Sequence, residues 1–294
     1  MLAEQPATLA PTRPQTATPK GWEAELQLGF ARRAEGDRLA TRLVNRAHRG
    51  PLAFQKPLYP EGEAVCHGIL IHPPAGIAGG DHLQINIHVA EGAHALLTTP
   101  GAGKWYRSAG AWGSQNIRLE VEAGGVLEWL PQESIVFDEA RARGATQIRL
   151  AADATLIGQD MICLGRTARG ERFTRGRLEL STRIERAGRP LWREAIALDG
   201  DDALLGAQAG LAGDPVFGTF FVAHTGVDAA MVEALREIAP QHGRGAITRL
   251  PGVLLARWIG SHAEAGRHWF TQLWSALRPP LLGRPAIVPR IWNT

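Results

Sequence analysis

The stretch HLQINIHV, residues 82 to 89, alternates apolar and polar side chains without a break. Leu83, Ile85, Ile87 and Val89 fall on one face, and His82, Gln84, Asn86 and His88 on the other. A period of two is what a half-buried strand demands, because successive side chains point to opposite faces. QNIRLEVE repeats the pattern through Ile117, Leu119 and Val121, and RLELSTRIE through Leu178, Leu180, Thr182 and Ile184. Three longer segments copy one another: INIHVAEGAHALLTTPG, IRLEVEAGGVLEWLPQE and IRLAADATLIGQDMICLG. Each is an alternating strand, a small-residue turn and a more apolar strand. Val89, Val121 and Leu150 recur at a spacing of about 30 residues, which is typical of stacked repeats. Strands are therefore expected from residue 22 to about 224, as stacked hairpins sharing one continuous core.

Helices are expected only late in the chain. VDAAMVEALREIA (227–239) carries Met231, Leu235 and Ile238 at helical spacing and ends before Pro240. A second helix is expected from Ser261 to Arg278. Ser261 and Glu264 read as a capping box. Trp269, Phe270, Leu273, Trp274 and Leu277 form an apolar stripe, and Pro279 and Pro280 are placed to stop the helix. The fold class is therefore mainly β, a stack of β-strands and hairpins with two α-helices near the C-terminus.

Composition narrows the function classes. No apolar stretch approaches the 18 to 20 or so residues of a membrane span. Residues 1–20, rich in Pro, Thr, Ala and Gln, read as a disordered lead without a secretory signal, before a single domain over 21–294. The two cysteines, Cys66 and Cys163, lie far apart in apolar runs, so buried free thiols and a cytoplasmic location are expected. A formal charge of only +3, with scattered arginines, gives nucleic-acid binding no support.

Common catalytic signatures are missing. PGAGKWY (100–106) lacks the first glycine and the Ser/Thr of a phosphate-binding loop, so a glycine-rich strand connection is the better reading. There is no G-x-S-x-G, H-E-x-x-H or C-x-x-C. His82, His88 and His94 recur every six residues, but six residues along a strand span about 20 Å, too far for one ion. They read as surface histidines.

Two carboxylates are more informative. In TLIGQDMICLG, Asp160 shares a face with Leu156, Ile162 and Leu164, while Ile157, Met161 and Cys163 occupy the other, so both faces read as buried. In PLWREAIALDG, Glu194 shares its face with Trp192, Ile196 and Leu198. A buried carboxylate needs a partner. Either an arginine supplies it, or the interior is polar and wet where something passes or binds. A metal-dependent enzyme with a site at Asp81, Asp160 and Glu194 is the alternative that follows from buried acids alone.

Five separated stretches carry a resemblance: RGPLAFQKPLYPEGEAVCHGILIHPPAGIAGGDHL, LLTTPGAGKWYRS, LEWLPQESIVFD, LGRTARGE and LGRPAIVPRIWNT. Together, in this order, they resemble the urease accessory protein UreD family, also called UreH, from about Gly21 to Thr294. The resemblance implies a non-enzymatic scaffold that joins UreF and the GTPase UreG to apo-urease (UreABC) and helps to deliver nickel. It implies a helix-like stack of strands with two α-helices, and an internal water-filled tunnel for Ni²⁺ in transit, with no tightly bound cofactor. Residues implied for the nickel path are Asp81, from the G-G-D motif, Asp160 and Glu194. At His82 some family members carry an acidic residue. Histidine keeps a possible ligand there but removes a negative charge.

Overall fold

The computed structural model describes residues 21–293, so the expected disordered lead over 1–20 lies outside the described residues. The chain opens with an antiparallel hairpin of β1 (Glu23–Glu35) and β2 (Arg38–Arg49), followed by the short β3 (Ala53–Phe54) and by β4 (Cys66–Ile71). Then it coils. One turn holds β5 (His82–Val89), β6 (His94–Thr98) and β7 (Gly103–Trp105). The next holds β8 (Gly113–Val121), β9 (Val126–Leu130) and β10 (Ser134–Val136), and a third holds β11 (Arg141–Leu150) and β12 (Thr155–Leu164). β13 (Arg177–Arg186), β14 (Arg189–Asp199) and β15 (Val216–Ala223) follow. Next come α1 (Ala229–Arg236), β16 (Arg244–Leu250), β17 (Val253–Gly260) and α2 (Ala263–Leu282).

Two sheets result. The seven-stranded sheet runs β14-β13-β11-β8-β5-β1-β2, and the ten-stranded sheet runs β16-β17-β15-β12-β9-β6-β4-β3 with β10 and β7 attached beside β12. Among the described residues the fold is mainly β, solenoid-like, with two α-helices. The repeat spacing read from the sequence is the sheet register itself: Val89 pairs with Val121, and Val121 with Leu150. The repeats are not hairpins, however. β5 and β6 lie in different sheets, and each strand bonds in parallel to its counterpart one repeat later. The four-residue turn after β5 is a corner that carries the chain from one sheet to the other. Gly92 and Gly124 occupy equivalent corners with φ of +62° and +61°, a conformation that glycine adopts without steric cost.

The main core fills the space between the sheets, from Leu26 and Phe30 through Ile87, Leu119 and Ile148 to Leu178. A second core lies on the far side of the ten-stranded sheet, where Trp269, Phe270, Leu273, Trp274 and Leu277 of α2 cover Leu96, Ile157 and Phe220. Gly158 of β12 shows how closely the first core is packed, since a Cβ there would stand 2.2 Å from the Phe221 ring. Gly158→Val is expected to cost about 1–3 kcal/mol through overpacking. The urea-unfolding midpoint measures this, and an unchanged midpoint would mean that the ring moves aside freely.

Four expectations need correction. Strands do not stop near residue 224. β16 and β17 form a further hairpin, whose turn Pro251 and Gly252 mark. α1 is shorter than 227–239, starting after Asp228, whose carboxylate accepts the Met231 N–H. In α2, His262 holds the N-cap position, and the Ser261 hydroxyl meets His262 Nδ1 at 2.7 Å, so no capping box forms. Pro279 and Pro280 sit inside the last turn rather than ending the helix. Gly283, at φ +64°, ends it and donates to the Pro279 carbonyl.

Candidate functional site

Strand parity places Asp160. On β12, Leu156, Ile162 and Leu164 enter the core between the sheets, and Ile157, Met161 and Cys163 enter the core beneath α2. Asp160 therefore points between the sheets, together with the apolar residues that share its strand face. Its register neighbours in the same sheet are Thr219 of β15 and then Arg257 of β17. The opposite sheet carries a matching row in which Thr146 of β11 pairs with Thr182 of β13, and Thr182 with Glu194 of β14. Asp160, Thr182, Glu194 and Thr219 line one small cavity, so two polar rows confront each other between the sheets.

That cavity, of about 20 Å³, adjoins a chamber of about 460 Å³. The two share Asp160, Thr182 and Phe221 among their walls. The chamber extends to the loop from Thr99 to Lys104, where Pro100, Gly101 and Gly103 are both lining and exposed. Among the described residues, Asp160 is the one carboxylate in the chamber wall. Its side chain has open surface, but that surface faces the chamber rather than bulk water. Desolvation, reinforced by the negative charge of Glu194, accordingly raises its carboxyl to about 6. No arginine or lysine pairs with Asp160 among the described residues.

Glu194 is different. Its Oε1 meets Arg257 Nη2 at 2.6 Å, so the arginine partner weighed from the sequence exists for Glu194 and not for Asp160. Asp81 is elsewhere. Its Oδ1 accepts the Trp22 N–H and its Oδ2 the Ala78 N–H, each at 2.8 Å, which fastens the loop from His72 to Asp81 to the start of β1. His82 is exposed, with Nδ1 2.5 Å from Ser114 Oγ. Neither residue lines the chamber. Among the described residues no group of three or more His, Cys, Asp or Glu side chains could hold a metal ion, so Asp81, Asp160 and Glu194 do not form one site.

His72, the first residue of that loop, was not among the expected site residues. It lines the chamber, and its Nε2 is buried with no hydrogen-bond partner among the described residues. Burial lowers the pKa of its ring, against a smaller opposing pull from Asp81. Also unforeseen is a buried charge network beneath α2. Arg278, with no exposed surface, reaches Glu128 through Nε at 3.0 Å and Glu61 through Nη2 at 2.7 Å. Its Nη1 donates to the Pro285 carbonyl. Trp274 Nε1 and His94 Nε2 each lie 2.6 Å from Glu128, and His67 Nε2 lies 2.6 Å from Glu61. His94 is thus a buried network member, not the surface histidine its spacing suggested. His82 and His88 are exposed. Cys66 and Cys163 are buried free thiols, as expected. Among the described residues no helix is long and apolar enough to cross a membrane.

A family profile described as UreD urease accessory protein matches residues 23–293. The chain is 55% identical over 278 residues to the urease accessory protein UreD of Azoarcus sp. (strain BH72), covering 95% of this chain and 96% of that protein. It is 55% identical over 280 residues to the UreD of Dechloromonas aromatica (strain RCB), covering 93% and 95%. It is 47% identical over 285 residues to that of Nitrosococcus oceani, covering 97% and 95%. With a matching profile over nearly its whole length and relatives this similar end to end, the chain belongs to the UreD urease accessory protein family.

Proposed function

We propose that this protein serves urease maturation as a non-enzymatic scaffold. In this reading it joins UreF and the GTPase UreG to apo-urease (UreABC) in the cytoplasm, and Ni²⁺, as cargo, crosses its interior. The observation that carries the passage is the chamber between the sheets, with one unpaired carboxylate, Asp160, at the point where it narrows toward Glu194. A transit path needs weak ligands, since a closed set of three or four would retain the ion. A single carboxylate beside the hydroxyls of Thr182 and Thr219, with room for water, suits that task. Above about pH 6 Asp160 is ionised and attracts a cation. Asp81 would act indirectly, by fixing the loop that sets His72 in the chamber wall, while His82 would meet an ion only at the surface.

The test is nickel loading of urease co-expressed with the accessory proteins. Asp160→Ala and Glu194→Ala are each expected to lower the nickel content of urease about tenfold, with the partner complex still co-purifying. Normal loading in both variants would sink the passage. Full urease activity at ordinary nickel in a strain lacking this protein would sink the maturation role itself.

A further inference from the structure

The polar rows do not end at Glu194. Among the described residues β14 is the terminal strand of its sheet, with no strand beyond Glu194 to enclose it. Across the gap stands Arg257, on the same strand face as the core residues Val253 and Leu255. The Arg257 side chain is 55% exposed and that of Glu194 17%, so the guanidinium sits outside and the carboxylate inside. Their 2.6 Å contact is an ion pair between the two sheets, on the far side of Asp160 from the chamber. The space narrows here from about 460 Å³ to about 20 Å³, which is room for about one water molecule.

We propose that Arg257 is a gate: ion-paired with Glu194, its guanidinium closes the Asp160 end of the interior to cations. The inference rests on the cation-passage reading given above. Two physical effects act together. The guanidinium caps Glu194 from the outer side of the constriction, and its positive charge offsets that of the carboxylate to which a cation would otherwise be drawn. A divalent ion that reaches Asp160 from the chamber cannot continue until Glu194 is released. Because Arg257 is mostly exposed, it is free to swing outward, and a carboxylate on a docking protein is the chemistry that would draw it away. A purely structural pair would look similar, but it would owe nothing to Asp160.

The full-length chain is mixed with Ni²⁺ alone, and exchange is followed by stopped-flow competition with a chromogenic chelator. Arg257→Gln keeps the side-chain length and removes the charge. It is expected to exchange Ni²⁺ about tenfold faster than the parent, with Arg257→Lys close to the parent. Asp160→Asn combined with Arg257→Gln is expected to abolish the gain. Exchange unchanged in Arg257→Gln overturns the gate, as does a gain that persists without the Asp160 carboxylate. The two readings fail separately. Normal urease loading with Asp160→Ala and Glu194→Ala removes the passage, whereas low loading together with unchanged exchange in Arg257→Gln removes only the gate.

Discussion

Arg278→Ala is expected to lower the unfolding free energy by about 3–5 kcal/mol. Arg278 and Glu128 have no exposed side-chain surface, and Glu61 has 6%. Burial alone would raise both carboxyls. For Glu61, His67 and Arg278 outweigh it and hold the group at about 2. For Glu128, His94 and Arg278 outweigh it and hold the group below the ordinary range. Removing the guanidinium strands two buried negative charges beneath α2, and that uncompensated charge, more than the lost contacts, sets the size of the effect. Adding Glu128→Gln to Arg278→Ala is therefore expected to recover part of the loss, which urea unfolding at pH 7 measures. No recovery would mean that packing, not charge, dominates. The pH dependence has a definite sign. A carboxyl held low when folded contributes stability that is complete above its unfolded pKa, near 4.5, and fades as pH falls toward 2. The single variant should lose most of that slope.

This network also marks where sequence reading fails. Alternation located β5, β8 and β13, and parity grouped Asp160 and Glu194 with their apolar face neighbours, because strand periodicity is a local property of a dozen residues. Whether turn-linked strands pair with each other or cross between sheets is not local. A small-residue turn fits both, so hairpins were expected where a coil exists. Glu128 and Arg278 are 150 positions apart, and Glu61 and Arg278 are 217 apart. Each, taken alone, looks like an ordinary surface charge. A usable signal was present: Glu128 interrupts the apolar run VLEWL, and Arg278 follows Trp274 by four residues, which puts it on the buried face of α2. Arg257 carries the same kind of signal, two residues beyond Leu255 on a core-facing strand. His72 had none, since a histidine before two prolines reads only as part of a turn.

Asp160→Asn is expected to make the protein more stable at pH 7.5 while disabling nickel transfer. The Asp160 carboxyl is raised from 3.8 to about 6, first by desolvation and then by Glu194. Between those values the folded protein binds more protons than the unfolded chain, so stability falls as pH rises through that window, and the full cost persists above it. A shift of this size in a dry site corresponds to about 3 kcal/mol. The chamber admits water and screens the charge, so about 1–2 kcal/mol is expected. Asparagine, nearly identical in shape, escapes the cost. Urea unfolding at pH 7.5 should show the gain, and at pH 3.5 the two proteins should be nearly equal. If the variant is no more stable at pH 7.5, the carboxylate is already satisfied and the case for a desolvated station on a cation path falls. If it is more stable and urease stays nickel-poor, the chain keeps at Asp160 a charge that harms its fold, and cation transfer is what that charge serves.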